Sequence, residues 1–264
     1  MKRYIKLYFT YAKLSLMSKF AYKANLILGI VAFLLTQIAS LATLYLLVSS
    51  VPSIEGYDMY QIGLLFGIAN LAIGIDHLFT DRLWTIAYHE VRRGKVDHLF
   101  LRPVPVLFQV IASEIQLEAF GEIIIGIALL IYCGLNVTLT ITFGGIFLIV
   151  IGIICAVFVI GSLKVIMSSI SFVTKRSGPL LQFVYNFSTY VKYPLKIYPK
   201  FIQYILLFVI PLGLMLSVPF DQLFNPIYNP YLLSLLMLGI TIVFVIISII
   251  IWKAFEKKYE STGT

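Results

Sequence analysis

The chain has 264 residues, 60% of them apolar and only 12% charged, with a formal net charge of +8 and a mean hydropathy of +0.97. Soluble domains carry roughly 25% charged residues, so a water-soluble protein is excluded, and the basic residues are spread along the chain in a way that argues against nucleic acid. The two cysteines, Cys133 and Cys155, fall in or beside apolar runs, which leaves no disulfide framework and no CxxC metal site.

Residues 2–23 interleave Lys2, Arg3, Lys6, Lys13, Lys19 and Lys23 with Tyr, Phe and Leu, which predicts an amphipathic helix in the headgroup plane. The first twenty residues are too polar for a secretory signal, so this end is expected to stay in the mature protein. Apolar runs near the ~20 residues that a helix needs to cross hydrocarbon predict spans at 25–49, 60–80, 106–134, 141–172, 201–218 and 231–252. Hydrocarbon satisfies no backbone N–H or C=O group, and the alternation of a barrel is missing, so the spans must be helices. The expected fold class is an all-α integral membrane protein of about six transmembrane helices in one domain, 1–264.

The connections 50–59, 135–140 and 219–230 hold no Lys or Arg. The basic residues lie instead in the N-terminal segment, at 82–102, from Lys164 to Lys200, and at Lys253, Lys257 and Lys258. The positive-inside rule places those groups in the cytoplasm. That makes a multi-pass plasma-membrane protein with both termini cytoplasmic and 219–230 extracellular. A seventh crossing at 179–192 would carry Lys192, Lys196, Lys200 and the C-terminal tail outside, so 173–200 is expected to be a cytoplasmic or interfacial segment.

No phosphate-binding loop is present: Gly94-Lys95 is followed by Val96 and lacks a Gly five residues upstream. His89-Glu90 lacks the second His of a zinc protease, and no GxSxG elbow occurs. Glu114, Glu118 and Glu122, spaced i, i+4, i+8 in the third span, would share one helix face. A central acidic residue costs about 2.5–3.5 kcal/mol in a lipid-facing helix, so three of them must face protein, a partner or a wet cavity. Lys164 is the expected ion-pair partner of this stripe. The stripe reads either as the lining of a path or proton-linked site, or as a structural lock between spans. In an enzyme reading, it would join Asp76 and His77 in an intramembrane acid–base site.

In the connection 81–105, Asp81 is expected to cap a short helix that presents Trp84, Ala87 and Tyr88 on one side and ends at Gly94 before Pro103 and Pro105. Such a helix either docks into a protein cleft or is a solvated loop.

The run Arg93-Gly94-Lys95-Val96-Asp97-His98-Leu99-Phe100-Leu101-Arg102-Pro103 resembles the G-x-x-D-x-x-L-x-R-P signature of a branch of the ABC-2 type transporter permeases. Tyr193-Pro194-Leu195-Lys196-Ile197-Tyr198-Pro199, followed by Phe208 to Pro211, is similar to that branch's YP-x-x-IYP and F-x-x-P segments. The resemblance implies a permease subunit of an ATP-binding cassette exporter. ATP and Mg would sit on a separate ATPase partner, with no cofactor in this chain, no enzyme activity of its own and a second permease chain, the same or different, completing the path. It further implies a coupling helix, with Trp84, Tyr88, Glu90, Arg92, Arg93 and Lys95 seated against the ATPase. The segment 219–230 looks like a shortened outer re-entrant element, and Pro211 with Gly213 offers a helix break in its place. A non-transporting membrane partner of an ATPase is the other alternative, and the substrate is left open between lipids, hydrophobic drugs and peptides.

Overall fold

The computed structural model describes residues 2–49, 53–138 and 142–261, and every regular element among them is helical. Helix α1 (Lys2–Ala21) leaves Tyr4, Ile5, Phe9, Leu14, Met17 and Phe20 exposed beside its lysines, the mixture that suits a membrane surface. A single turn at Tyr22 leads into α2 (Lys23–Ser49), a long apolar helix on the rim of the bundle.

Helix α3 (Met59–Thr80) is the buried pillar. Its start is fixed by a capping box: Asp58 accepts from the Gln61 amide at 2.7 Å while the Gln61 side chain accepts from the Asp58 amide at 2.9 Å. At 1.5 Å per residue it is about 33 Å long, close to the thickness of the hydrocarbon core. Its far end, at Thr80, runs straight into α4 (Arg82–Thr85) and a π-helical turn (Ile86–Glu90). Then follow α5 (Asp97–Phe100) and α6 (Val106–Ala112). We call this the basic end.

The third span is not one helix. After α6 the chain is non-helical through 114–116, and α7 (Phe120–Leu135) begins only after a 3-10 turn at Leu117–Ala119. Tertiary bonds hold the break: the Gln116 amide donates to the Leu78 carbonyl at 3.1 Å and the Ile115 amide to Ser15 Oγ at 3.0 Å. Helix α7 then lies on α3 so closely that a Cβ on Gly126 would stand 3.1 Å from the Gly67 carbonyl oxygen.

Helix α8 (Phe143–Ser169) continues into α9 (Ser171–Thr174) and pairs parallel with α13 (Pro230–Glu256). Gly144 meets Pro230 near one end, and Phe172 meets Trp252 at the other.

Helix α10 (Gly178–Tyr190) overturns the expectation for 173–200. It starts at the basic end, where the Ser177 amide donates to the Ala87 carbonyl at 2.9 Å. Tyr185 OH then lies 2.7 Å from His77 Nε2, Lys192 sits over the Phe66 ring at 5.0 Å, and Lys196 sits over the Tyr57 ring at 5.0 Å. Those partners step down α3 from beyond its last residue to before its first, so 178–196 runs the length of the bundle.

The stretch expected as span five, 201–218, does not. Helix α11 (Lys200–Tyr204) with a π-helical turn (Ile205–Val209) meets a second arm, a π-helical turn (Gly213–Ser217) leading into α12 (Val218–Asp221), at a bend of 88°. Pro211 and Gly213 lie at that bend, as expected. The first arm follows Lys196 over Tyr57, and the second ends where Tyr57 OH donates to Asp221 Oδ1 at 2.6 Å, so the chain dips in and returns to the same end.

Among the described residues, five helices are long and apolar enough to cross a membrane, and 178–196 rather than 201–218 adds a sixth segment running the length of the bundle. Charge counting failed here because the half-buried Lys192 lies over the Phe66 ring, whose electrons offset part of its desolvation, while Lys196 stays exposed beside the Tyr57 ring.

Candidate functional site

The connection 81–105 has its own core. Leu83, Ile86, Val91, Val96 and Leu99 are buried with Val106, Val110, Val165, Phe172 and Trp252, which is incompatible with a merely solvated loop. Gly94 ends the helical turns with φ +64°, a left-handed conformation that suits a residue without Cβ. Gln109 Nε2 donates to the carbonyls of Leu99 and Val104, 2.8 Å each, and holds the return into α6.

Of the residues expected to dock, Arg92, Arg93 and Lys95 are exposed, joined by His89, His98, Leu101 and Arg102. Trp84, Tyr88 and Glu90 instead grip this chain. Trp84 stacks on Tyr88 and meets the Tyr185 ring edge-to-face at 5.3 Å; Arg176 lies over Tyr88, and Glu90 pairs with Arg82 at 3.4 Å. The segment thus has a basic outer face and an aromatic inner one.

Behind the inner face lies a buried charge cluster. Lys164, on α8, is 1% exposed and bonds Asp76 Oδ2 at 2.6 Å and Asp81 Oδ1 at 2.9 Å. Thr80 Oγ1 donates to Asp76 Oδ1 at 2.8 Å, and the Trp84 and Tyr185 rings flank the ammonium at 6.0 and 5.6 Å. Asp81 makes no capping bond, contrary to expectation. Its carboxylate is committed to Lys164, and the helical path from α3 into α4 leaves no N-terminus to cap.

The acidic stripe is dispersed. Glu114 falls in the break before α7 and lines, with Lys19, Tyr22 and Glu118, a cavity of about 460 Å³ under α1. Glu118 pairs with Lys19 at 3.1 Å. Glu122 accepts from Gln37 Nε2 at 2.6 Å and lies 2.7 Å from His77 Nδ1, whose other nitrogen faces Tyr185. None of the three pairs with Lys164, so the expected ion pair is corrected: Asp76 on α3 and Asp81 just past its end stand at its depth, and the broken helix takes the glutamates elsewhere. A cavity lined by Lys164, Tyr185 and Ser188 measures about 10 Å³, room for one water at most and none for a substrate.

A family model described as ABC-2 family transporter protein matches residues 34–263. The chain belongs to the ABC-2 transporter family. No curated protein and no solved structure matched the chain. As an ABC-2 protein it is the multi-pass membrane permease component of an ATP-binding cassette transporter. In such a system the permease associates with ATPase subunits and is generally not itself an enzyme.

The permease signature now has physical content. Gly94 supplies the left-handed residue and Leu99 the core anchor, while Asp97 receives Ser261 Oγ at 2.6 Å and the Tyr259 hydroxyl. Tyr259 also stacks on Phe100 at 5.0 Å, so the C-terminal tail is strapped over the connection. The Ser261 and Tyr259 hydrogen bonds hold the Asp97 carboxyl below its ordinary value. A depressed folded pKa means that the strap is fully engaged above the ordinary aspartate pKa, about 3.9, and weakens as pH falls through the lower folded value. We expect Asp97→Asn to release the tail at pH 7, read as faster tryptic cleavage after Lys257 and Lys258, with the unmodified chain protected at pH 5. Equal cleavage rates would refute the strap.

Proposed function

We propose that this chain is one half of an exporter. Its basic end faces the cytoplasm, and the outer face of 81–105 seats on a separate ATPase that binds ATP and Mg. A second permease chain, identical or related, completes the path. The carrying observation is the direct join between the connection and the spans: Asp81 on Lys164, and Trp84 on Tyr185, so that a push on the segment moves α3, α8 and α10 together.

In this reading no covalent chemistry occurs in the permease. Arg92, Arg93 and Lys95 present positive charge to acidic residues of the ATPase, where electrostatic complementarity governs encounter and register. Glu118 and Glu122, satisfied by Lys19, Gln37 and His77, serve as packing and coupling elements.

The test is to purify the tagged, detergent-solubilised chain with its ATPase. Arg92→Glu combined with Arg93→Glu should weaken capture about tenfold or more, equivalent to about 1.4 kcal/mol, and abolish permease-stimulated ATP hydrolysis. Recovery of no ATPase, or an unaffected double variant, would sink the proposal. An ATPase that binds without being stimulated would favour the non-transporting partner, and activity of the single chain without ATP would favour the intramembrane enzyme.

A further inference from the structure

Helix α10 carries an odd surface for its depth. Gln182 and Asn186 are exposed and bonded to each other at 2.9 Å, with Thr189 one turn further on. Polar groups at membrane depth face protein or a wet cavity, since lipid cannot satisfy them. Leu180 and Phe183, 49% and 63% exposed, flank them with apolar surface.

Continuing along the chain, Lys192 and Lys196 follow. Lys192 reaches the Phe66 ring, which lies seven residues into α3, about 10 Å from its start. Among the described residues, ion pairs account for Lys19, His77, Arg82 and Lys164, whereas neither Lys192 nor Lys196 has a carboxylate within 4.0 Å. Each sits over an aromatic face, which stabilises a cation while leaving its N–H donors available, and the acids that act on them, Asp221 on Lys196 and Glu122 on Lys192, do so from beyond 4.0 Å.

We propose that Lys192 and Lys196 hold the anionic group, a carboxylate or phosphate, of an amphiphile. The amphiphile's apolar part lies against Leu180 and Phe183 along α10. Two successive cations let the anion pass from the depth of Phe66 to the end at Tyr57 without entering hydrocarbon. The structure-based part is the binding of the anionic amphiphile; that this amphiphile is the exported cargo rests on the permease reading.

The test uses the full-length chain in nanodiscs of zwitterionic lipid. It is irradiated with a diazirine-bearing fatty acid, or with an alkyl trimethylammonium of the same length and the same photoreactive group, and labelled peptides are mapped by mass spectrometry. The peptide containing 178–198 should take up the anionic probe about tenfold more than the cationic one, because a hydrogen bond to a charged partner is worth a factor of ten or more. Lys192→Met with Lys196→Met should bring the ratio near one, and the Arg double variant should retain it.

A ratio near one in the unmodified chain, an unchanged ratio in the Met variant, or loss in the Arg variant would overturn the proposal. Abolition of labelling by inorganic phosphate at the probe's concentration would assign the site to a water-soluble anion and overturn the amphiphile. Labelling needs no ATPase, so an anion preference that persists where ATPase capture fails would retire the ATPase-driven exporter reading and leave the site standing.

Discussion

Lys164→Met is expected to destabilise the protein by about 3–5 kcal/mol, the range for removing one partner from a buried charge pair. Lys164 and Asp76 have side chains 1% and 0% exposed, so the substitution strands a carboxylate where no water reaches it. Asp81, 17% exposed, is less penalised. The loss comes from the orphaned acid and not from a missing bond of great strength, so adding Asp76→Asn to Lys164→Met should recover much of it. SDS-induced unfolding in mixed micelles would measure the cycle. Additive losses in the double variant would show that the two groups do not act as a pair.

Gly126→Leu is expected to be comparably harmful, by about 2–3 kcal/mol for overpacking that side chains cannot relieve. The added Cβ would meet the Gly67 carbonyl and the Leu71 amide, both at 3.1 Å, so two helix backbones must separate. Gly239, on α13, has nothing within 4 Å of such a Cβ. Gly239→Leu should therefore be neutral or slightly stabilising, by up to about 1 kcal/mol from helix propensity. If the two variants unfold alike, the α3–α7 contact is not the close backbone approach described above.

Composition and apolar run length revealed the membrane class, the number of passes and most of their positions, because those properties are set by hydrocarbon thickness alone. Tertiary contacts decided the rest. The thirteen residues of α10 are too few to cross unaided and are followed by lysines, yet they are carried through the bundle by His77, Phe66 and Tyr57 on α3. Ser113 to Gln116 contains neither Gly nor Pro, so nothing local announced a break that Leu78 and Ser15 impose from other helices.

The same holds for the site. Gly94 was legible because its backbone conformation is local, as was the basic character of Arg92, Arg93 and Lys95. The partners of Lys164 were not, since Asp76 and Asp81 meet it only once α3 and α8 are side by side. The strap from Ser261 to Asp97 joins residues 164 positions apart, beyond any spacing rule.

The dip at Pro211 has a consequence for topology mapping. Exchanging one pass for another leaves the parity of the chain untouched. A reporter enzyme fused to either terminus, or placed in the connections near Tyr57 or Asn136, would read the same side whether α10 or 201–218 made the fifth pass. The discriminating position is a short one, between Lys192 and Lys200: a cysteine there would react with an impermeant thiol reagent from the side that also reaches Asn225, never from the side of Arg92.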